Sequence, residues 1–363
     1  MARPTPRDSV ALMEGYHSPQ LDVSVRLNTN EAPEPPPRAF VEKLATALAD
    51  VDWHRYPDRS ATALRARVAQ VEQPLMNTEI GVGNVFVANG SNEVLQTLCL
   101  TYGGPGRTAL SNEPTYALHQ HIAKIAGTNS IEVERLANFE LDLDALLTAI
   151  ESGRPSIVFL CSPNNPTGLV EDRETVETVL NAVEAVDGLL VVDEAYGQFA
   201  PWSALTLVDE ERSIVVTRTF SKTWSAAGLR LGYLIGPTWV VSELEKVVLP
   251  YHLDSMKQLA GTLALDHLAE MELRVASLVE ERGRVEMALA ELPVDQWPSG
   301  ANFILFRPRD RDGDAVWAEL VERSVLVRNC SSWPRLEGCL RVTLGTRDED
   351  DEFLKSLAEV LSS

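Results

Sequence analysis

The 363-residue chain has few cysteines and no long apolar runs, and each shortage argues against a class of protein. Its four cysteines form no C-x-x-C pair, and none lies beside a histidine at metal-ligand spacing. This argues against a disulfide-rich domain and a zinc site. No run reaches the roughly 18 apolar residues of a membrane helix, and the first residues lack the apolar core of a signal peptide. We therefore expect a cytoplasmic protein with no membrane partner.

Positive charge is also scarce. The 32 lysine and arginine residues are outnumbered by 53 aspartate and glutamate residues, which leaves a net charge of −21. Nucleic-acid binding needs a basic surface, so we expect no nucleic-acid partner. Only six of the basic residues are lysines, and one of them, Lys222, follows an apolar run among small polar residues. A lysine in that position is a candidate functional group.

Short apolar runs alternate with helical patterns through the middle of the chain, for example at 84–88, 156–163 and 213–220. Strands that are apolar on both faces and separated by helices predict an α/β fold with a mostly parallel sheet covered on both sides. After residue 250 the pattern changes to a long helical stretch, about 255–292, then three apolar runs and a last helix.

This change of pattern predicts a second, smaller α+β unit. We divide the chain into 1–50, an N-terminal arm that also contributes to the small domain, 51–250, the large domain, and 251–363, the C-terminal small domain.

Polar clusters follow four of the predicted strands. They are Asn89–Asn92, Pro163–Gly168, Asp193–Tyr196 and Thr219–Lys222, and Arg230 lies eight residues after the lysine. Each cluster alone is an ordinary cap or turn, but ligands of parallel sheets bind beyond the carboxyl ends of the strands. Together they offer a nucleophilic lysine, a carboxylate for a ring nitrogen, and hydroxyl, guanidinium and helix N-terminal groups for a phosphate. The combination predicts a site for a phosphorylated aldehyde cofactor.

Eleven motifs in chain order resemble those of the fold-type I pyridoxal-phosphate aminotransferases. They are RLNTNEAP (26–33), HRYPD (54–58), ANGSNE (88–93), EPTY (113–116), SPNNPTG (162–168), VVDEAY (191–196), TRTFSK (217–222), AGLRLGY (227–233), LPYHL (249–253), SGANFILF (299–306) and LRVTLGT (340–346). The resemblance implies a large domain with a mostly parallel seven-stranded sheet covered by helices, a smaller α+β domain, and pyridoxal 5′-phosphate as cofactor.

The resemblance also implies catalytic roles for Lys222, Asp193 and Tyr196. Lys222 would bind the cofactor covalently and, once displaced by substrate, move the proton between the substrate Cα and the cofactor C4′. Asp193 would pair with the ring nitrogen, and Tyr196 with Asn165 would hydrogen bond to the ring hydroxyl. Tyr116 would stack on the ring.

The cofactor phosphate, by the same resemblance, is held by one set of polar groups. They are the backbone amides at Ser91 and Asn92 and the side chains of Thr219, Ser221 and Arg230. Tyr56 matches the tyrosine that reaches the cofactor phosphate of the neighbouring subunit. This implies a homodimer with its active sites at the interface.

Substrate groups follow from the branch of the family that the sequence resembles most, the histidinol-phosphate aminotransferases. Arg341 would bind the anionic end of the substrate and Arg328 would join it there, while Tyr16 and Asn30 would fold over the substrate. The expected reaction converts L-histidinol phosphate and 2-oxoglutarate into imidazole-acetol phosphate and L-glutamate by ping-pong transamination. Its small-molecule substrates are thus a phosphorylated amino alcohol and glutamate or 2-oxoglutarate.

Three alternatives remain open. An aromatic amino-acid aminotransferase shares every cofactor residue, a threonine-phosphate decarboxylase has similar motifs, and a cofactor-binding regulatory protein is the non-enzymatic option. Trp224, two residues after the lysine, and the unusual segment 329–338 depart from the family pattern. We expect Trp224 to affect the shape of the pocket and the six histidines to be structural or on the surface.

Overall fold

The computed structural model describes residues 3–11, 13, 15 and 20–362. Twelve β-strands within these residues form two sheets. The strands are β1 (Val25–Leu27), β2 (Val85–Ala88), β3 (Thr108–Glu113), β4 (Asn129–Glu134), β5 (Ile157–Cys161), β6 (Leu189–Asp193), β7 (Ile214–Thr219), β8 (Gly232–Ile235), β9 (Val294–Gln296), β10 (Phe303–Pro308), β11 (Val325–Asn329) and β12 (Leu340–Thr343).

Twelve α-helices lie in the same described part of the chain. They are α1 (Asp8–Ala11), α2 (Arg38–Leu48), α3 (Thr62–Glu72), α4 (Ser91–Tyr102), α5 (Leu118–Ala126), α6 (Leu143–Gly153), α7 (Arg173–Glu184), α8 (Thr238–Val247), α9 (Ser255–Ala264), α10 (Leu268–Ala290), α11 (Gly313–Glu322) and α12 (Arg347–Ser362). The single helical stretch predicted at 255–292 is wrong in one respect, because a 3₁₀ turn at Leu265–His267 separates α9 from α10.

The larger sheet has seven strands in the order β2-β8-β7-β6-β5-β3-β4. Its pairings are parallel except those of β8, which is antiparallel to both β2 and β7. Every residue of β5, β6 and β7 is buried, because helices cover both faces of the sheet. Side chains of β5 alternate between two apolar clusters, with Val158 on one face and Phe159 on the other. The predicted fold class is confirmed.

The smaller sheet has five strands in the order β1-β11-β12-β10-β9. The N-terminal strand β1 pairs in parallel with β11, with Val25 opposite Val325. The other pairings of this sheet are antiparallel. The division of the chain into 1–50, 51–250 and 251–363 stays a prediction.

The topology brings the polar clusters of the sequence to one edge of the large sheet. Strands β2, β5, β6 and β7 run in the same direction, so their carboxyl ends meet there. Arg341, the second residue of β12 in the smaller sheet, lies at the same edge. Among the described helices, none has the length and apolar character needed to span a bilayer.

Candidate active site

A cavity of about 390 Å³ opens at the carboxyl edge of the large sheet. Thirteen of the predicted site residues line it: Asn30, Ser91, Asn92, Tyr116, Asn165, Asp193, Tyr196, Thr219, Ser221, Lys222, Arg230, Arg328 and Arg341. Residues separated by more than 300 positions thus contribute to one cavity, Asn30 at one end of the chain and Arg341 at the other. Of the remaining predictions, Tyr16 lies outside the described residues.

Lys222 enters the cavity from the turn that follows β7. Its Nζ donates a hydrogen bond to the carbonyl of Thr29, 3.1 Å away, and lies 5.7 Å from the centre of the Tyr196 ring. Burial above all, together with the positive charges of Arg341 and Arg230 and against the opposing effect of Glu31, lowers the pKa of this amine to about 7. An amine with this pKa is substantially neutral at pH 7, which a nucleophile or a proton acceptor requires.

Asp193 ends β6 and is only 2% exposed. Its Oδ1 accepts hydrogen bonds from the Ala195 amide at 3.1 Å and the Thr217 hydroxyl at 3.3 Å. Its Oδ2 lies 2.9 Å from Nε2 of His119. Both carboxylate oxygens therefore have hydrogen-bond partners in a buried position.

His119 is the site residue that the sequence interpretation missed in this region. The second residue of α5, it is fully buried, and its ring stacks on Phe159 with centroids 4.8 Å apart and planes inclined by 2°. The expectation that every histidine is structural or on the surface is incomplete here, because His119 touches a predicted cofactor residue. A usable signal was its position three residues after Tyr116, which places both residues over the same turn.

The amino end of α4 forms a cradle for an anion. Gly90 precedes the helix with φ of 82°, and Ser91 and Asn92 open it. A Cβ at Gly232 on β8 would lie 2.3 Å from the Ser91 nitrogen, and one at Gly90 would lie 2.9 Å from Nη2 of Arg230. The Ser91 backbone can approach Gly232 this closely, and the Arg230 guanidinium can approach Gly90, only because neither glycine has a side chain. The exposed amides at the helix start favour a bound phosphate.

Hydroxyl groups and one guanidinium complete the cradle. The Thr219 hydroxyl lies 3.0 Å from that of Ser221, and Nη1 of Arg230 donates to the Ser221 hydroxyl at 3.4 Å. All three side chains line the cavity. This donor set fits a dianionic phosphate group.

Two tyrosines border the space between the cradle and Asp193. The Tyr116 hydroxyl donates to Oδ1 of Asn92 at 3.0 Å. The Tyr196 hydroxyl accepts from Nδ2 of Asn30 at 2.9 Å. Burial raises the pKa of Tyr196 to about 12, so its phenol stays protonated and can donate a hydrogen bond at neutral pH. A flat ring with a polar edge fits between these groups.

Arg328 and Arg341 form a cross-strand pair. They are directly opposite each other on the antiparallel strands β11 and β12, and both are largely buried, at 9% and 5% exposed. Arg341 donates hydrogen bonds to Oδ1 of Asn165 and, at 3.1 Å, to the carbonyl of Asn28. Two guanidinium groups side by side in one cavity attract an anion of high charge.

Trp224 and Tyr56 lie outside the cavity lining. Trp224 is 4% exposed, packs on Phe220 with ring centroids 5.7 Å apart, and borders a separate cavity. The expectation that Trp224 affects the shape of the pocket is therefore wrong, because its indole is part of the core on the other side of the turn. Tyr56 is 80% exposed and stacks on Tyr251 at 4.5 Å.

Comparison with known proteins agrees with this geometry. Residues 23–357 match the family model for aminotransferase class I and II. The chain belongs to the class I and II aminotransferase family. This confirms the family resemblance seen in the sequence motifs.

Two relatives resemble the aminotransferase over nearly its whole length. The histidinol-phosphate aminotransferase of Mycobacterium marinum is 42% identical over 352 residues, which cover 96% of this chain and 90% of that protein. The one of Frankia casuarinae is 44% identical over 363 residues, covering 98% and 90%. A crystal structure of histidinol-phosphate aminotransferase from Sinorhizobium meliloti in complex with pyridoxal-5′-phosphate shares the fold, with a TM-score of 0.83 and 21% identity, over 94% of this chain and 91% of that one.

The aminotransferase uses pyridoxal 5′-phosphate, the cofactor of its family. The cavity fits this group. The glycines at 90 and 232 leave room for a phosphate at the start of α4, Asp193 is a buried carboxylate, and Lys222 provides an amine of lowered pKa. When bound, the cofactor supplies an aldehyde that takes up the amino group and a ring that accepts electrons.

Proposed function

We propose that the aminotransferase transfers the amino group of L-histidinol phosphate to 2-oxoglutarate, yielding imidazole-acetol phosphate and L-glutamate, in both directions. The proposal is supported by the two curated relatives above 40% identity that bear the name of this activity. The observation that carries it is the pair Arg328 and Arg341, adjacent across two strands and both lining the cavity. Two guanidinium groups suit a phosphate dianion, and equally the carboxylates of glutamate.

Lys222 is the proposed acid and base of the reaction. Its amine, with a pKa lowered to about 7, would hold the cofactor through the aldehyde carbon, with the aldehyde oxygen leaving as water, and the substrate amine would take its place there. The free amine then takes the proton from the substrate Cα and returns it at C4′ of the cofactor. The Thr29 carbonyl, which accepts its hydrogen bond, holds the amine inside the cavity.

Asp193 keeps the proton on the ring nitrogen. Its charge favours the protonated ring, and His119 keeps the carboxylate oriented from the side away from the cavity. We assign Asn165 and Tyr196 to the ring hydroxyl, since a protonated phenol can donate to it. Tyr116 covers the ring face and is itself held by Asn92.

The phosphate of the cofactor belongs, in this proposal, to the cradle at the start of α4. The residues that hold it are Ser91, Asn92, Thr219, Ser221 and Arg230. At the other end, Arg341 and Arg328 bind the anionic group of the substrate. Asn30, buried and hydrogen bonded to Tyr196, orients that phenol beside the substrate. The role of Tyr16 over the substrate stays a prediction.

We also propose that the protein works as a homodimer in which Tyr56 reaches the neighbouring subunit's cradle. Tyr56 is exposed and lies against Tyr251. Trp53, three residues before Tyr56, is 62% exposed, and Leu249, two residues before Tyr251, is 76% exposed. Exposed aromatic and aliphatic residues of this size are typical of a protein interface. A second copy of the chain is the partner that would cover them.

A half-reaction screen tests the substrate. Cofactor-loaded enzyme is mixed separately with L-histidinol phosphate, L-phenylalanine, O-phospho-L-threonine and L-glutamate, and the change in cofactor absorbance is followed by stopped flow. We expect fast conversion with histidinol phosphate and glutamate and slow conversion with phenylalanine. Equal or faster conversion with phenylalanine would make the enzyme an aromatic aminotransferase, and carbon dioxide release from phosphothreonine would make it a decarboxylase.

A further inference from the structure

The segment between the two arginines of the cavity carries a tryptophan that contacts one of them. Trp333 lies in the connection between β11 and β12, and its indole is half-buried and lines the cavity. The guanidinium carbon of Arg328 lies over this indole, 5.3 Å from the ring centre. This is within the distance at which an aromatic face attracts a cation.

The connection that carries Trp333 is an ordered hairpin. Its ends are joined by a hydrogen bond of 3.0 Å from the Cys330 amide to the Cys339 carbonyl. Inside it, the Trp333 amide donates to Cys330, and its carbonyl accepts from Leu336. Leu336 and both cysteines are fully buried in a small apolar cluster against which Trp333 packs. The indole is therefore held in place before any substrate binds.

An indole over a guanidinium restricts how that guanidinium can turn. The indole lies against the Arg328 guanidinium and limits its rotation, while the N–H groups, which lie in the guanidinium plane, stay available to an anion in the cavity. Arg341 on the other strand is fixed by Asn165 and by the Asn28 carbonyl. Both guanidinium groups are thus held, that of Arg341 by these hydrogen bonds and that of Arg328 in part by the aromatic face of Trp333.

We propose that Trp333 is a specificity-determining residue that positions Arg328 for a substrate with a phosphate dianion. The inference rests on the proposed function. A single carboxylate is satisfied by Arg341 alone, as the hydrogen-bond geometry of one guanidinium fork allows. A dianion engages both arginines, so only a dianionic substrate depends on the orientation of Arg328. Trp333 therefore separates phosphorylated substrates from those with a single carboxylate, such as L-phenylalanine, without touching the reacting atoms.

Three variants of the cofactor-loaded enzyme test this. Trp333→Leu keeps apolar bulk and removes the aromatic face, whereas Trp333→Phe keeps a face. Trp297→Leu is the matched control, because Trp297 also lies under an arginine, Arg307 at 5.6 Å, in the same apolar cluster but outside the cavity. For each variant, kcat and KM are measured with L-histidinol phosphate, and the apparent dissociation constant for L-phenylalanine is measured in single-turnover half-reactions.

We expect Trp333→Leu to raise KM for histidinol phosphate about ten-fold, with kcat and the phenylalanine constant unchanged. Trp333→Phe should recover most of this loss, and Trp297→Leu should leave all three quantities unchanged. An unchanged KM in Trp333→Leu, or an equal loss for both substrates, would overturn the inference. Failure of the wild-type enzyme to react with histidinol phosphate would instead overturn the proposed function, so the two failures are separate results.

Discussion

Nε2 of His119 lies 2.9 Å from Oδ2 of Asp193, deep beneath the floor of the cavity. The helix α5 is thereby joined to the end of β6 at the carboxylate assigned to the cofactor ring nitrogen. The histidine ring is itself immobilised on Phe159. His119 thus lies directly behind the proposed cofactor residue, where we expect it to position the carboxylate, and its effect on the reaction can be measured.

Replacing His119 by asparagine should slow the reaction without unfolding the protein. The shorter side chain cannot reach Asp193, and a lost hydrogen bond to a charged group is expected to lower kcat about ten-fold. Steady-state rates and the absorbance of the bound cofactor over a range of pH provide the measurement. The matched control is His252→Asn, since His252 also stacks on a phenylalanine, Phe86, but lies outside the cavity. Equal losses in both variants would contradict a specific role for His119.

The lowered pKa of Lys222 predicts the pH dependence of cofactor uptake. Only the neutral amine attacks an aldehyde, so the rate of covalent uptake by the cofactor-free protein should rise with pH and level off above about pH 7. Stopped-flow absorbance between about pH 5 and about pH 9 measures this rate. A rate that still increases at the upper limit would indicate a lysine near its ordinary value of 10.5.

The same group affects stability with a definite sign. Between pH 7 and 10.5 the unfolded chain keeps the lysine proton and the folded cofactor-free protein has lost it. The contribution of Lys222 to the free energy of unfolding therefore increases with pH across this window. The free energy of unfolding is measured by denaturant titration of the cofactor-free proteins at several pH values in this window. It should increase more steeply with pH for the wild type than for Lys222→Ala, because the variant lacks this group.

The cradle at the start of α4 has no space for a methyl group at Gly232. Gly232→Ala would bring its Cβ within 2.3 Å of the Ser91 nitrogen, so the backbone that holds the phosphate must move. We expect the free energy of unfolding to fall by about 1–3 kcal/mol, with weaker cofactor binding measured by fluorescence titration. Gly228→Ala is the control, because Gly228 also lines the cavity and has open space where its Cβ would lie. Similar cofactor affinity in the two variants would contradict the assignment of the cradle.

Sharing of Tyr56 between subunits predicts that two inactive variants complement each other. A hybrid of Tyr56→Ala and Lys222→Ala chains contains one site with the lysine of the first chain and the tyrosine of the second. We expect this hybrid, separated by two affinity tags, to show about half of the wild-type activity per dimer. Neither parent variant should match it. A monomeric mass in light scattering, or no activity in the hybrid, would contradict the shared site.

Sequence patterns were sufficient for the parts of the site that depend on strand ends. Asp193 and Lys222 each follow a run of apolar residues, and parallel strands bring such positions to one edge. The pair Arg328 and Arg341 was predicted by resemblance, but its register across β11 and β12 became visible only in the folded sheet. Register depends on which strand faces pack together and on the geometry of the connection, and the ten-residue connection between β11 and β12 is too long for a turn motif to indicate it.

The parts that sequence reasoning missed depend on contacts across the fold. His119, like the other histidines, is predicted to be structural or on the surface, because its distance from Asp193 follows only from how α5 packs on the sheet. Trp224 is expected to affect the shape of the pocket because it is two residues from Lys222 along the chain. The intervening turn instead directs its indole into the apolar core of the large domain. Trp333 was seen only as part of an unusual segment. The positions of these side chains depend on tertiary packing, which neighbours along the sequence do not reveal.

The parallel pairing of β1 with β11 has a consequence for the order in which the protein is made. Val25 emerges from the ribosome 300 residues before its partner Val325. Asn30, just beyond β1, and Arg341, on the next strand of the same sheet, must then meet at one cavity. The nascent chain therefore cannot complete this end of the cavity until Arg341 has been synthesised. A prematurely terminated chain lacks that end even when its large sheet is whole.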